Sequence, residues 1–314
     1  MSHTHTIAFY NIENLFDTED DIHTNDDAFL PDADKRWTEK RYRNKIRKLS
    51  QVISQIGDEA IDQPPAIVGL AEVENKNVVE DLIGGKFLKH YNYDIVHYDS
   101  SDERGIDVAL IYNSAIFEVS HSETFSVYLE KEDGSRDFTR DILLVTGRLD
   151  GEQIHIIINH WSSRRQGEKE TEYKRLAAAD KVNTIIEILN KTYDDPKVVV
   201  MGDFNDTPQS KSLLSIEHNS SLYNPFKTIS THDRGSLNHA FEWYIFDQIL
   251  ISTNFFDATS TKFNLSKADI FDSKFLTQYK GKFQGQPFRT YVGKKYKGGY
   301  SDHFPVYIAL KLDD

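Results

Sequence analysis

Apolar residues fall into short runs along most of this chain. Residues 7–10 (Ile-Ala-Phe-Tyr), 66–70 (Ala-Ile-Val-Gly-Leu), 107–112 (Asp-Val-Ala-Leu-Ile-Tyr), 142–149, 154–159, 197–201, 245–251 and 305–311 are apolar or alternate apolar with polar. Their shortness and β-branched content predict strands. Two stretches carry a helical period instead. Tyr42, Ile46, Leu49, Ile53 and Ile56 recur three or four residues apart and predict an amphipathic helix over 38–56. Tyr173, Leu176, Ala179, Asn183, Ile186 and Leu189 repeat the pattern with one polar member. Many strands with few long helices predict an α/β architecture built on sheets. Proline is scarce, and no Gly/Ser linker or internal repeat divides the chain, so one domain over residues 1–314 is expected.

Composition narrows the class. Of 314 residues, 39% are hydrophobic and 12% aromatic, enough for a packed core. No run approaches the ~18 apolar residues of a membrane span. The start, Met1-Ser2-His3-Thr4-His5-Thr6, lacks the basic-then-apolar pattern of a signal peptide. A cytoplasmic protein is expected as written, or a secreted one whose leader has been removed. The absence of cysteine excludes disulfides and thiolate chemistry. A monomer is expected.

The net charge of −13 argues against long-range attraction of polyanions, but the charges are segregated. From Asn11 to Asp34 there are nine acids and no Lys or Arg; from Lys35 to Lys48 there are eight basic residues and one acid. The basic segment reads as the solvated face of the first helix. The acidic loop, about 17–34, offers Asp17, Asp20, Asp21, Asn25 and Asp26 as hard oxygen ligands for Ca²⁺, without EF-hand spacing; a plain solvated loop is the alternative. Between Asp272 and Asp302 there is no acid, while Lys274, Lys280, Lys282, Arg289, Lys294, Lys295 and Lys297 interleave with Phe283, Phe288, Tyr291 and Tyr296. Such a basic-aromatic loop, about 274–300, suits a ligand that bears phosphates and rings.

Polar groups with chemical capacity cluster at strand ends. Glu72 follows the apolar run 66–70, and a carboxylate there is costly to desolvate unless it is paired or metal-bound. Asp203 and Asn205 follow Val198-Val-Val-Met201 and alternate onto one side of an extended segment. A carboxylate that activates water beside an amide that holds phosphoryl oxygens needs that placement. His160 closes the strand 154–159; a satisfied core histidine is its plain alternative.

Five stretches, Phe9-Tyr10-Asn11-Ile12-Glu13-Asn14, Gly69-Leu70-Ala71-Glu72-Val73-Glu74, Ile158-Asn159-His160-Trp161, Met201-Gly202-Asp203-Phe204-Asn205-Asp206 and Tyr300-Ser301-Asp302-His303, in this order and spacing, resemble the endonuclease/exonuclease/phosphatase superfamily. The resemblance runs over roughly residues 7–310. It implies a four-layered α/β/β/α sandwich of two mixed β-sheets flanked by helices, and a divalent-metal phosphodiesterase or phosphatase. By resemblance Glu72 is the principal metal ligand, Asp302 lies at the metal site, Asn11 helps hold metal and substrate phosphate, and Glu13 stands where some relatives carry an additional acid. Hard oxygen donors with few protein ligands suit Mg²⁺ or Mn²⁺. Asp203 would position the water and Asn205 contact the phosphate. His303 would contact the scissile phosphate, with Asp247 hydrogen-bonded to it. His160 would assist the leaving oxygen. Arg104, Arg164, Arg165 and Arg289 are candidate phosphate contacts, with an ordinary surface arginine as the alternative at 104.

Arg104-Gly105-Ile106-Asp107-Val108-Ala109 replaces the Gly-Tyr-x-Gly-Val-Ala stretch of exonuclease III-like enzymes, which counts against abasic-site repair. The expected activity is in-line attack of water on phosphorus without a covalent intermediate. A nuclease acting on DNA, or on RNA, comes first. A phosphoesterase for a small or lipid-linked phosphate, such as an inositol phosphate or sphingomyelin, comes second. An inert binding module of the same fold comes third.

Overall fold

The computed structural model describes residues 4–21, 24–131, 133–229, 231–257 and 263–312; Met1–His3, the first residues of the start read above for a signal peptide, lie outside them. Two mixed six-stranded sheets form the centre. The first runs in the order Phe263–Ile270, Val306–Leu312, Thr4–Leu15, Ile67–Val73, Asp107–Asn113, Tyr93–His97. The second runs Leu222–Tyr223, Asp247–Ser252, Val198–Asp203, Glu152–His160, Ile142–Leu149, Phe117–Phe125. Each holds one parallel pair at its middle, Thr4–Leu15 with Ile67–Val73 and Glu152–His160 with Val198–Asp203, flanked by antiparallel strands.

A parallel pair cannot be joined by a hairpin and needs a crossover, usually a helix. The two long helices supply those crossovers: α1 (Glu39–Ile53) in the first sheet and α3 (Glu172–Thr192) in the second. The short helices α2 (Lys76–Ile83) and α4 (Lys211–Ser220) pack beside them. The result is the expected four-layered α/β/β/α sandwich. The inner faces approach closely at Gly69, where an added Cβ would lie 2.8 Å from Met201 Cε and 3.1 Å from Phe9 Cδ2. Among the described residues no helix is long and apolar enough to cross a membrane.

Helix α1 buries Tyr42, Ile46, Leu49 and Ile53 as its period predicts. Helix α3 buries Ala179, Asn183, Ile186 and Leu189 as expected, but its buried face is wider, adding Ala178, Val182 and Ile185, and Tyr173 is exposed. The apolar pattern does not predict the strands Phe117–Phe125 and Phe263–Ile270. Both lie at sheet edges and are largely exposed or half-exposed, with only Phe117 buried in the first and only Phe263 and Ile270 in the second, so neither forms an apolar run.

His155 shows what the packing does to a titratable group. Its ring is buried against Tyr193, centroids 4.4 Å apart, and Nδ1 lies 2.9 Å from Thr146 Oγ1. Burial pushes its pKa down to about 4. The unfolded chain takes up this proton near pH 6.5 while the native state refuses it until about pH 4. Stability is therefore unaffected above pH 6.5 and falls with acidification through that window, by up to about 1.4 kcal/mol per pH unit. Urea unfolding of the wild type and His155→Gln from pH 8 to 4 checks this; the variant should lose less stability on acidification.

Candidate active site

Both parallel pairs end at the same place. Asn11 and Glu72 come from the carboxyl ends of one pair, and His160 and Asp203, cross-strand neighbours, from the ends of the other. Asn11 Nδ2 donates to Asp203 Oδ2 at 3.0 Å and joins the two sheets. His160 Nε2 lies 3.9 Å from Glu72 Oε1 and 3.8 Å from Asp203 Oδ2. The register slips between Asn11 and Leu15 and between Ala71 and Val73, so Glu72 stands at a bulge. Bulges re-aim side chains. Glu13, Asn14, Glu72 and Asn205 all hold positive φ, from 49° to 65°. Left-handed backbone at non-glycine residues is strained, and here it gathers at the strand ends.

A third segment closes the group. His303 Nδ1 is 2.7 Å from Asp247 Oδ2, and its Nε2 is 4.0 Å from both Asp203 Oδ2 and Asp302 Oδ1. Asp203, Asp247 and His303 offer ligand atoms within 4.8 Å of one another, but the His303–Asp247 contact is a hydrogen bond in its own right. Burial opposes charge on His303, yet the Asp247 carboxylate, followed by Asp203 and Asp302, holds its pKa well above the ordinary value. Burial and the nearby Asp247 charge raise Asp203 despite His303. His160 goes the other way: burial, then Arg140 and Arg104, hold it well below its ordinary value, and its Nδ1 has no hydrogen-bond partner. A neutral imidazole is a poor proton donor.

These groups open on a cleft of about 660 Å³ that Glu72, Asp203, Asn205, Asp302, His303 and four arginines line. Arg104 is half-buried and donates to Asn14 Oδ1 at 2.7 Å. Arg165 is exposed and forms no ion pair among the described residues. Arg289 pairs with Asp302. Arg164 is not free for phosphate: it binds Asn205 O, Asp206 and Glu168, and lies 4.8 Å over the Phe246 ring. The opposite wall is the hairpin of Leu237–His239 and Glu242–Tyr244, whose Leu237 bridges to His303. Glu72 and Asp302 both face the cleft with oxygen donors only, and His303 and Arg289 keep Asp302 ionised against its burial. That donor set fits a hard divalent cation.

Glu13 does not line the cleft. Its carboxylate accepts the backbone N–H groups of Thr290 at 2.6 Å and Tyr291 at 3.3 Å, which leaves it a structural acid rather than a metal neighbour. Asn11 is likewise buried, with its amide oxygen accepting Glu13 N–H and its amide nitrogen on Asp203. The basic-aromatic loop divides in two. Tyr291 is buried against Trp37 and Phe29, Phe288 lies under Lys48, and Lys294 pairs with Asp34, while Tyr279, Lys280, Lys282 and Phe283 are exposed. In the acidic loop, Glu74 and Asp26 accept the N–H groups of Asp17 and Asp21, and the described residues bring no three-ligand group together there.

Sequence reasoning misses Lys45. Its segment reads as the solvated basic face of α1, but the side chain is buried and donates to Glu13 O at 3.1 Å, Thr290 Oγ1 at 2.5 Å and Tyr300 O at 2.7 Å. Its position on the apolar stripe, between Tyr42 and Leu49, is the available signal. Two other buried ion pairs, Arg140–Asp102 and Arg175–Asp206, are equally unforeseen.

The chain matches the sequence model of the Endonuclease/Exonuclease/phosphatase family over residues 6–312. No curated protein matches it. Among solved structures, an endonuclease/exonuclease/phosphatase family protein from Bacteroides thetaiotaomicron is similar with TM-score 0.64 and 16% identity, covering 100% of this chain and 99% of that one. A mannosyl-6-phosphatase from the same organism gives 0.61 and 16%, over 98% and 99%. D. rerio TDP2 complexed with a single-stranded DNA product gives 0.58 and 13%, over 98% of each chain.

Lys45 is the buried cation nearest the Glu13 carboxylate network, so Lys45→Met should destabilise the fold by about 3–5 kcal/mol, the scale of leaving a buried charge uncompensated. Adding Glu13→Gln should recover part of that loss. Urea midpoints of the wild type, the single variant and the double variant measure both effects; an unshifted Lys45→Met midpoint would remove Lys45 from the framework.

Proposed function

We propose, because the chain belongs to the endonuclease/exonuclease/phosphatase family, that it is a divalent-metal-dependent phosphodiesterase acting on nucleic acid, DNA ahead of RNA, with the whole chain working as one domain. The observation that carries this reading is the convergence of Glu72, Asp302, the Asn11–Asp203 pair and the Asp247–His303 pair on one arginine-lined cleft. Glu72 and Asp302 would hold Mg²⁺ or Mn²⁺. Bound there, the metal supplies charge stabilisation for the phosphoryl and leaving oxygens.

The chain's own groups divide the remaining work. Asp203, buried and raised in pKa, accepts the proton of the attacking water. Asn11 Nδ2 and the Asn205 backbone N–H, each bonded to one Asp203 oxygen, fix its orientation. The Asp247–His303 pair presents a cationic imidazole that stabilises charge on the phosphoryl oxygens. Arg104 and Arg165 attract the anion and position it. His160, neutral, contributes an N–H hydrogen bond rather than a proton. With no cysteine, the arrangement suits direct attack by water in line with the leaving oxygen.

The similar structures support two substrate classes. Likeness to TDP2 with single-stranded DNA favours nucleic acid. The net charge of −13 and the likeness to a mannosyl-6-phosphatase favour a small phosphate as the second reading. The intact set of acids and histidines argues against an inert binding module.

Chelation with EDTA should abolish hydrolysis of bis(p-nitrophenyl) phosphate, and Mg²⁺ or Mn²⁺ should restore it; full activity in chelator would end the metal mechanism. Glu72→Gln should lower metal affinity and slow turnover by on the order of 10²-fold. Asp203→Asn should slow turnover by about 10²–10⁴-fold while circular dichroism and thermal melting stay native. An unfolded rather than inactive variant would make Asp203 structural.

A further inference from the structure

The hairpin that walls the cleft turns through a conformation that its residues disfavour. Leu237–His239 and Glu242–Tyr244 are joined by a two-residue turn, Ala240–Phe241, with φ of 51° and 70°. A two-residue turn with both φ positive is the place for Asn-Gly or Gly-Gly. A bulky aromatic there is strained, and such strain persists where the side chain it displays has a use.

The turn displays Phe241, 57% exposed, flat against Phe283 of the neighbouring loop with centroids 5.5 Å apart and 4° between planes. At that separation the rings are parallel but offset, and Phe241 keeps more than half of its surface exposed. The Lys282 ammonium stands 4.8 Å from the Phe283 centroid and 5.9 Å from that of Phe241. Beside them Tyr279 is 73% exposed, with Lys280 5.3 Å over its ring. Neither lysine has a carboxylate partner among the described residues, in a chain of net charge −13. The ledge is continuous with the cleft, because Leu237, Asn238 and His239 lead from the wall to the turn. Two steps of strand, about 7 Å, carry the chain from Leu237 to His239, and the turn follows directly.

We infer that this ledge binds a single strand of nucleic acid where it leaves the cleft, one base stacking on the exposed ring of Phe241 and the adjoining phosphates pairing with Lys280 and Lys282. The inference rests on the phosphodiesterase reading above. A flat, paired aromatic surface with unpaired cations at its edge matches a base next to a phosphate. Insertion into a lipid surface favours protruding apolar side chains, and the ledge adds no aliphatic group to its rings.

The test uses the full chain carrying Asp203→Asn, so that substrate binds without being cut, and a twelve-residue oligothymidylate as probe. Phe241→Gly suits the turn's backbone, so thermal stability should hold or rise. Affinity for the oligonucleotide should fall roughly 5- to 150-fold, the range for removing one stacked base. Phe241→Trp should retain affinity. Lys280→Ala with Lys282→Ala should lower the slope of log K against log salt by roughly 0.7 for each phosphate that is no longer neutralised. With Asp203 restored, hydrolysis of bis(p-nitrophenyl) phosphate should be unchanged by any ledge substitution. Wild-type affinity in Phe241→Gly overturns the ledge. So does weakened binding to phosphatidylserine vesicles with oligonucleotide binding intact, which would make the ledge a membrane contact. A wild type that cleaves the small diester but binds no oligonucleotide removes the ledge and leaves the phosphodiesterase reading; one that cleaves neither removes that reading as well.

Discussion

The hydrogen bond from Asn11 to Asp203 ties the two halves of this protein together where the chemistry is concentrated. Each partner ends a central parallel strand of a different sheet. For the bond to form, both parallel pairs must terminate at the same depth and the sheets must stay at a fixed separation. Gly69 permits that separation, since any side chain there meets Met201 and Phe9. The crossover helices then have to pack on the outer faces, because the inner ones are filled. The same meeting of strand ends brings Glu72 Oε1 to 3.9 Å from His160 Nε2.

Gathering acids at that junction is costly, and much of the surrounding structure offsets the cost. Asp203 and Asp247 meet at His303, Glu72 and Asp302 line the same cleft, and an isolated carboxylate in such a place would take up a proton. His303 answers Asp247, Arg289 answers Asp302, and Lys45 with two backbone N–H groups answers Glu13 one layer deeper. Farther out, Arg140 with Asp102 ties the 98–106 loop to Trp161, and Arg175 with Arg164 ties Asp206 to α3 and the loop before it. Buried pairs of this kind add little net stability but strongly penalise any arrangement that separates them. Their effect is to fix loops that carry Arg104, Asn205 and Asp302 in one geometry.

How much of this is legible in the sequence depends on period. Strands such as Ile67–Val73, buried at every position, announce themselves as apolar runs. Edge strands such as Phe117–Phe125, with half their positions exposed, do not. Glu72, His160 and Asp203 are legible because they stand at the ends of apolar strands, where a polar group has no packing reason to be. Their partners are not. Glu13 looks in sequence like one more acid beside Asn11, and only the return of the chain at Thr290 shows that its oxygens are occupied. Lys45 looks like one cation among eight in its segment. Long-range pairing of charged groups leaves no local periodicity, so the burial of Lys45, Arg140 and Arg175 has to come from three dimensions.

The same distinction resolves the tension between a net charge of −13 and an anion-seeking cleft. Salt screens exposed charges beyond about 8–10 Å, so the acids spread over the exterior contribute little inside the cleft. Within it, Arg104 donates to a neutral amide, and neither it nor Arg165 forms an ion pair among the described residues. Arg164 and Arg289, by contrast, are neutralised by Asp206 and Asp302. Arg289 carries a further consequence: a cation bound by Asp302 competes directly with that guanidinium. On the proposed function, occupying the centre would loosen Arg289 toward the cleft.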